Sequence, residues 1–389
     1  MNTKKALVSL AFVLFFITAS TVQAAGTDNR YFVKSNSWFI KKSFQVRNVF
    51  DSGFTANLSD VQLKMAKFFG VEVTPVKKLN ILAVGKKDVV KPVVSKLPVN
   101  QVGWGVKSIY GDLLSGTVPS GGDDVSVAIL DTGVLTTHSD LKGQVSGCSD
   151  FSGSDAFVKN TCEDKNGHGT LVAGIVAANG GANGKGIYGM APRANLMAYK
   201  VCSNDGTCFA DDVANAIVYA ADNGANIILL SFGSDSESTL INESISYASN
   251  KGALIIAAAG NDGPYPGSID YPASNISVVS VGAVDGSLSV PDWSARGNNE
   301  ASISYARNVG DLEVVAPGVN VESTAINGDY ATSSGTSMAA AHIAGLMAKE
   351  WQGQSSTPAQ STRELLYKQS QDVLPFGDDN ASGWGMPQL

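Results

Sequence analysis

Three histidines, four cysteines and a charged fraction of 16% leave this 389-residue chain few side chains with which to do chemistry. His138, His168 and His342 have no ligand spacing to a cysteine pair, which excludes a zinc site of the usual kind. After the first two dozen residues no apolar run is long enough to span a bilayer; LIIAAAG at 254–260 has the length of a buried strand. Nor is there a basic surplus: a net charge of −7 argues against nucleic acid as a partner. Repeats and low-complexity tracts are absent, and 44% hydrophobic residues supply ample core for a globular chain.

What is present begins with MNTKKALVSLAFVLFFITASTVQA. Lys4 and Lys5 precede an apolar run from Ala6 to Ile17, and the small-x-small triplet Val22-Gln23-Ala24 follows. This is the pattern of a secretory signal peptide over residues 1–24, and it predicts a secreted protein without membrane attachment once cut. Cys148, Cys162, Cys202 and Cys208 suit an exported chain in which disulfides persist. Three pairings are open. Two local loops, Cys148 with Cys162 and Cys202 with Cys208, are favoured because each closes a polar, turn-rich segment.

Charge divides the remainder. Residues 25–96 carry 13 Lys and Arg against 5 Asp and Glu, whereas 97–389 carry 13 against 30. A basic segment thus precedes an acidic body, and opposite charges favour docking of one on the other. Within the basic segment, LSDVQLKMAKFFGV opens with the capping-box pattern Ser59-x-x-Gln62 and puts Val61, Met65, Phe68 and Phe69 on one helical face. Extended candidates flank it, RYFVKSN before and KKLNILAV after. The Lys/Val/Pro stretch KKDVVKPVVSKLPVN then breaks the periodicity and predicts a domain boundary near residue 96.

From about Asp124 the pattern changes. The β-branched runs VSVAIL, NLMAYKV, NIILLSF, ALIIAAA, ISVVSVGAV and LEVVA alternate with helical stretches at 169–178, 210–222, 239–250, 337–350 and 358–370. Continuous apolar strands alternating with helices predict an α/β fold, a largely parallel sheet covered on both faces, preceded by a small α+β domain. Chemistry in such sheets sits outside the carboxyl ends of the strands.

Three residues meet that expectation. Asp131 follows VSVAIL at the point where the strand opens into Thr-Gly. His168 stands between Gly167 and Gly169 at the start of an Ala/Val helix, where the helix dipole does not favour an imidazolium. Ser337, in SSGTSMAAAH, opens a buried helix. An orienting carboxylate, a base and a hydroxyl nucleophile are the three roles that nucleophilic catalysis needs.

The segments AILDTGV, NGHGTLVAG, AAAGNDG and SGTSMAAAH resemble, in that order, the signature segments of the subtilisin-like serine proteases. The resemblance spans most of 100–389 and implies that Ser337 is the nucleophile, His168 the general base and then acid, Asp131 the orienting carboxylate and Asn261 an oxyanion donor. All the catalytic types are present, so a catalytically silent scaffold is the weaker alternative. Two departures stand out: Ala341 where the family has proline, and Leu171 where it has histidine. His138 and His342 read as structural.

The same resemblance extends to substrate, cofactor and processing. Ser231-Phe232-Gly233 is similar to the family's strand that pairs with an extended polypeptide substrate, and Ala258, Ala259 and Gly260 to the opposite pocket wall. Asp270, at the position of the pocket floor, is expected with Asp262 to bias cleavage toward Lys or Arg. Structural calcium is implied at Asp140, at Asn179 and Asn183 in the loop NGGANGKG, and at Gln101. Residues 25–96 resemble an inhibitory propeptide, a partner for the chain's own catalytic domain at 97–389. Lys96 is the expected self-cleavage point, and the mature enzyme is expected to be a monomer.

Overall fold

The computed structural model describes residues 29–83, 95–115, 117–154, 156–300, 302, 307–374 and 377–389; the expected signal peptide lies outside them. The chain divides into two compact units, one running to Lys77 with residues 154–156, the other comprising 78–153 and 157–389.

The smaller unit is built from β1 (Arg30–Val33), α1 (Trp38–Lys42), β2 (Val46–Phe50), β3 (Gly53–Asn57), α2 (Asp60–Phe68) and β4 (Val73–Pro75). Its antiparallel sheet has the order β2-β3-β1-β4. Ser59 caps α2 as the sequence predicts: its hydroxyl accepts the Gln62 N–H while the Gln62 side chain accepts the Ser59 N–H. The buried face differs from expectation. Val61 and Phe68 are 51% and 79% exposed. Leu63 and Met65 of α2, with Phe69 just after it, pack on Val33, Phe44, Phe54, Ala56 and Leu58. The stretch KKLNILAV, expected to flank this helix in the same small domain, also falls elsewhere: Lys78–Ile81 forms β5 in the larger unit.

The larger unit is organised around an eight-stranded sheet. Its strands are β6 (Ser126–Asp131), β7 (Val145–Asp150), β8 (Val158–Lys159), β9 (Asn195–Lys200), β11 (Ile227–Leu230), β13 (Leu254–Ala258), β14 (Val278–Val284) and β15 (Val314–Pro317). The order is β15-β14-β13-β11-β6-β9-β7-β8, parallel throughout except for the last pair. Ile227–Leu230 and Leu254–Ala258 are buried along their whole length, as central parallel strands must be. The helices α4 (His168–Ala177), α5 (Ala210–Asp222), α6 (Thr239–Asn250), α7 (Thr336–Lys349) and α8 (Pro358–Gln369) match the predicted stretches. Helices α4 and α7 pack together, with α7 lying against β11, β13, β14 and β15. A short helix, α3 (Trp104–Tyr110), and the hairpin of β16 (Val321–Thr324) and β17 (Tyr330–Ser333) complete the surround.

This topology aligns three neighbouring strand ends. Asp131 is the last residue of β6, Ser231 follows β11, and Gly260 and Asn261 follow β13 by two and three residues. Disulfides join Cys148 to Cys162 and Cys202 to Cys208, the two local loops.

One buried ion pair ties α8 to the sheet edge. The Arg363 guanidinium donates to Glu313 at 2.9 Å and to the Val278 carbonyl at 2.9 Å, and both charged side chains are nearly inaccessible. Arg363→Leu removes the cation from a buried carboxylate and is expected to cost about 3–5 kcal/mol. Urea unfolding of the variant, in a Ser337→Ala background that prevents self-digestion, measures it.

Candidate active site

At the end of β6, Asp131 is 1% exposed and its carboxylate accepts the Thr132 N–H at 2.7 Å. His168 Nδ1 lies 2.8 and 3.0 Å from the two oxygens of that carboxylate. A carboxylate beside Nδ1 holds the proton there and leaves Nε2 as the basic nitrogen. Glycine is required beneath the pair: a Cβ on Gly169 would stand 2.1 Å from the Gly133 carbonyl oxygen and 3.1 Å from the Asp131 side chain.

Sequence reasoning passed over the residue that positions this histidine. Asp164 accepts N–H groups from Asn166 (3.0 Å), Gly167 (2.9 Å) and Thr170 (2.9 Å), together with the hydroxyls of Thr132 (2.9 Å) and Thr170 (2.7 Å). It thereby satisfies donors that the first turn of α4 leaves unpaired and fastens that turn to the residue after Asp131. The available signal was an aspartate four residues before a helix-opening histidine. Lys200 ties together the segments that follow β6 and β9, its buried ammonium donating to the carbonyls of Thr132 (2.6 Å) and Cys202 (3.0 Å). Burial works to lower the His168 pKa, but Asp131 and then Asp164 outweigh it and the net shift is upward.

Ser337 is the second residue of α7 and fully buried. Its hydroxyl lies 2.8 Å from the Leu82 carbonyl oxygen and 3.1 Å from that of Ser231. His168 Nε2 is buried and has no hydrogen-bond partner among the described residues. Asp131 and His168 are therefore joined, while Ser337 is turned onto a peptide carbonyl. Asn261 Oδ1 accepts the N–H and the hydroxyl of Thr336, both at 3.0 Å, which fixes the side chain with its amide nitrogen as the free donor end. Gly335, with φ 152°, makes the close approach possible. A Cβ there would lie 2.5 Å from the Leu82 oxygen and 3.5 Å from Asn261 Nδ2.

The carbonyl at Ser337 belongs to an extended segment held as a strand. β5 (Lys78–Ile81) runs antiparallel between β10 (Thr207–Phe209) and β12 (Phe232–Gly233), pairing Asn80 with Thr207 and Gly233, Leu79 with Cys208, and Ile81 with Phe232. The Ile81 N–H donates to the Gly206 carbonyl at 3.0 Å and the Leu82 N–H to that of Ser231 at 3.2 Å. The Cys202–Cys208 disulfide braces the β10 edge. Lys96, the expected cut, is exposed and follows Ser95, which pairs with Tyr330. Leu82 is the residue whose carbonyl meets Ser337.

Asp270 closes the far side. It is 3% exposed, its N–H donates to the Ala259 carbonyl at 2.8 Å, and a Cβ on Gly233 or Gly260 would come within 2.5 or 3.0 Å of its Oδ2. Ala258, Ala259, Gly260 and Gly233 are buried around it. Burial first, then the Asp262 and Asp235 carboxylates, push Asp270 up to about 7.

The four residues named for calcium converge on one loop. The Asp140 carboxylate accepts Ser139 and Tyr330 hydroxyls and the Ile187 N–H, each at 2.8 Å, and Gly181 and Gly186 press so closely that a Cβ would fall 2.8 and 2.2 Å from it. The Asn179 and Asn183 amide oxygens accept N–H groups of Gly181 and Lys185, and Gln101 donates to the Gly184 carbonyl. A glycine cradle lined with carboxylate, amide and carbonyl oxygens has the chemistry a hard cation prefers, so the residues fit that ion. The remaining histidines serve structure. His138 bridges the Asp140 N–H and the Asp329 carbonyl, and buried His342, its pKa lowered to about 4 by desolvation, bonds the Met338 carbonyl. Leu171 packs in the core, and Ala341 lies buried within an unbroken α7.

A parallel α/β sheet with a buried Asp–His pair and a serine against a peptide carbonyl defines a serine endopeptidase. The chain belongs to the subtilase family, whose sequence pattern matches residues 122–385. It is 43% identical over 354 residues to a subtilisin of Bacillus sp. (strain TA39), covering 86% of this chain and 83% of that protein. It is 35% identical over 287 residues to subtilisin Savinase of Lederbergia lenta, covering 73% and 96%. Among solved structures, an S41 psychrophilic protease superposes with TM-score 0.71 at 44% identity, covering 75% of this chain and 99% of that one. Sphericase gives 0.71 at 41%, with the same coverage.

As the proposed base, His168 must be neutral to act, and its pKa is raised, so activity is expected to fall with decreasing pH through a midpoint above the ordinary histidine value. Because Asp164 contributes to that rise, Asp164→Ala is expected to move the acid limb to lower pH. It is also expected to reduce kcat by about 10- to 100-fold through lost positioning. Profiles of kcat/KM against pH for both proteins test the two effects together.

Proposed function

We propose that this protein is a secreted, self-processing subtilase in which Ser337, His168 and Asp131 form the catalytic triad and β5 is the first substrate. The observation that carries this reading is the Leu82 carbonyl against Ser337, presented by a strand paired on both edges. Strand addition of this kind recognises the backbone of an extended polypeptide and leaves selectivity to the pockets.

The reaction follows from the geometry. Rotation of the Ser337 hydroxyl from the carbonyl toward His168 Nε2 lets the imidazole take its proton as Oγ attacks the carbonyl carbon. Asp131, beside Nδ1, stabilises the imidazolium that forms. The developing oxyanion is held by Asn261 Nδ2 and the Ser337 N–H at the start of α7, where the helix dipole favours negative charge. His168 then protonates the departing amine, and water enters by the same route to release the acyl group.

On this reading the bond cut is Leu82–Ala83, so the inhibitory segment ends at Leu82 rather than Lys96. The pocket beside Ala258 and Gly260 receives an apolar side chain in the chain's own processing. A Lys or Arg side chain is accommodated by Asp270, although Lys96 no longer supports that preference. Calcium, a general ligand of subtilisins, would be held by Asp140 and the 179–187 loop with Gln101, and would supply rigidity to that loop. The mature enzyme acts as a monomer on polypeptides outside the cell.

Intact-mass and N-terminal analysis of the secreted protein tests this account. Wild type is expected to yield a fragment ending at Leu82 and a body starting at Ala83 or further along after trimming, whereas Ser337→Ala stays joined. A wild-type junction at Lys96–Leu97 with no fragment ending at Leu82, or normal processing of Ser337→Ala, would overturn it. Asn261→Ala is expected to slow peptide hydrolysis by about 10²- to 10³-fold in kcat, a magnitude taken from subtilisin itself rather than obtained from this geometry.

A further inference from the structure

Upstream of Leu82 the cleft holds its occupant by backbone pairing, and β10 sets Thr207 against Asn80, Cys208 against Leu79 and Phe209 against Lys78. Ladder hydrogen bonds do not tell one side chain from another, so selectivity along this edge has to come from the side chains that face each pair. Leu79 is 2% exposed, whereas Lys78 and Asn80 are exposed and share the open face of the strand. On that face the Lys78 ammonium stands over the Phe209 ring, 5.1 Å from its centroid.

The ring is held in place by its neighbours. Phe209 is the last residue of β10 and immediately precedes α5, with extended backbone (φ −88°, ψ 136°), and the adjacent Cys208 is fully buried and bridged to Cys202. The same edge is closely fitted to its occupant: a Cβ on Gly206 would come 2.8 Å from Ile81 Cγ1. A cation within about 6 Å of an aromatic centroid is attracted by the negative face of the ring. Once the bond after Leu82 is cut, Lys78 belongs to the leaving fragment and the half-buried Phe209 to the enzyme. Any later substrate in the same register sets the fifth residue before its own cut against that ring.

We propose that Phe209 is a specificity-determining residue that selects, through its ring face, Lys or Arg as the fifth residue before the bond cut. This selection rests on the reading of Leu82–Ala83 as that bond. It is separate from the pocket at Asp270, which receives the residue immediately before the cut. A guanidinium, planar and weakly hydrated, stacks on the ring as an ammonium does, whereas a carboxylate is repelled by the ring face. At so open a position the contact is expected to change kcat/KM by about two- to fivefold.

Blocked octapeptides test this on the processed wild-type enzyme. The first is KLNILAVG, the chain's own residues 78–85. Three relatives begin with Arg, norleucine or Glu, and a fourth begins with norleucine and carries the Lys in third place, which keeps the net charge. Pairs competing in one reaction, followed by mass spectrometry, give ratios of kcat/KM; about 0.15 M salt screens the general attraction of an acidic enzyme for cations. The Lys and Arg peptides are expected to be cut about two to five times faster than the norleucine and charge-matched peptides, with the Glu peptide slowest. In Phe209→Leu the Lys-to-norleucine ratio is expected to fall to about one, and in Phe209→Tyr to persist. Cleavage at Leu–Ala with equal rates for the Lys and norleucine peptides overturns the selection. So does a Lys preference that the charge-matched peptide shares, or one that Phe209→Leu retains. Cleavage of the peptides at another bond overturns the register that places Leu82 before the cut, and the selection with it. The wild-type ratios need no variant, so they decide the matter even where a variant fails to mature.

Discussion

At the carboxyl edge of the sheet, the arrangement is organised by the buried contact of Asp131 with His168, 2.8 Å between oxygen and nitrogen. Neither side chain could be left alone in so dry a place, and each justifies the other's burial. The contact is possible because β6 ends at Asp131, because Gly169 removes the side chain that would collide with Gly133, and because Asp164 pins the first turn of α4 to Thr132. A parallel sheet then lines up neighbouring strand ends, so that β11 and β13 deliver Ser231 and Asn261 to the same edge.

The second organising feature is the chain's use of its own backbone as occupant of the cleft. Strand β5 lies between β10 and β12 as a third strand, and the carbonyl that follows it reaches Ser337. Ser337 is thereby hydrogen-bonded to a peptide carbonyl while His168 Nε2 has no partner among the described residues. On the proposed reading this is a protease holding a scissile bond before the proton moves, and the Cys202–Cys208 disulfide lies at the β10 edge that pairs with β5.

The six apolar runs and five helical stretches read from sequence correspond to β6, β9, β11, β13, β14, β15 and to α4 through α8, because burial on both faces writes a continuous β-branched signal. The segments around Asp131, His168, Asn261 and Ser337 stood out by residue type, nearby glycines and order along the chain, and the structure places Asp131 against His168. Other features left weaker traces. VSGCSD gives no apolar alternation although it forms β7, since its neighbour β9 and a disulfide hold it. Asp164 looked like a loop residue because its role is to accept five donors that only the folded turn brings together. Val61 and Phe68 fit a helical face by spacing, but the small sheet meets Leu63 and Met65 of α2 and Phe69 just after it. On the proposed reading the cut follows Leu82 rather than the expected Lys96, because β5 pairs with β12 up to Ile81 and the next carbonyl meets Ser337.

The central claim, that Ser337 is a nucleophile activated through His168 and Asp131, is tested most directly by covalent capture. Incubating the processed enzyme with a fluorophosphonate probe and mapping the adduct by peptide mass spectrometry should give a single modification, on Ser337, that is at least about a hundredfold slower in a His168→Ala protein. Modification of another serine, or equal labelling rates with and without His168, would contradict the account.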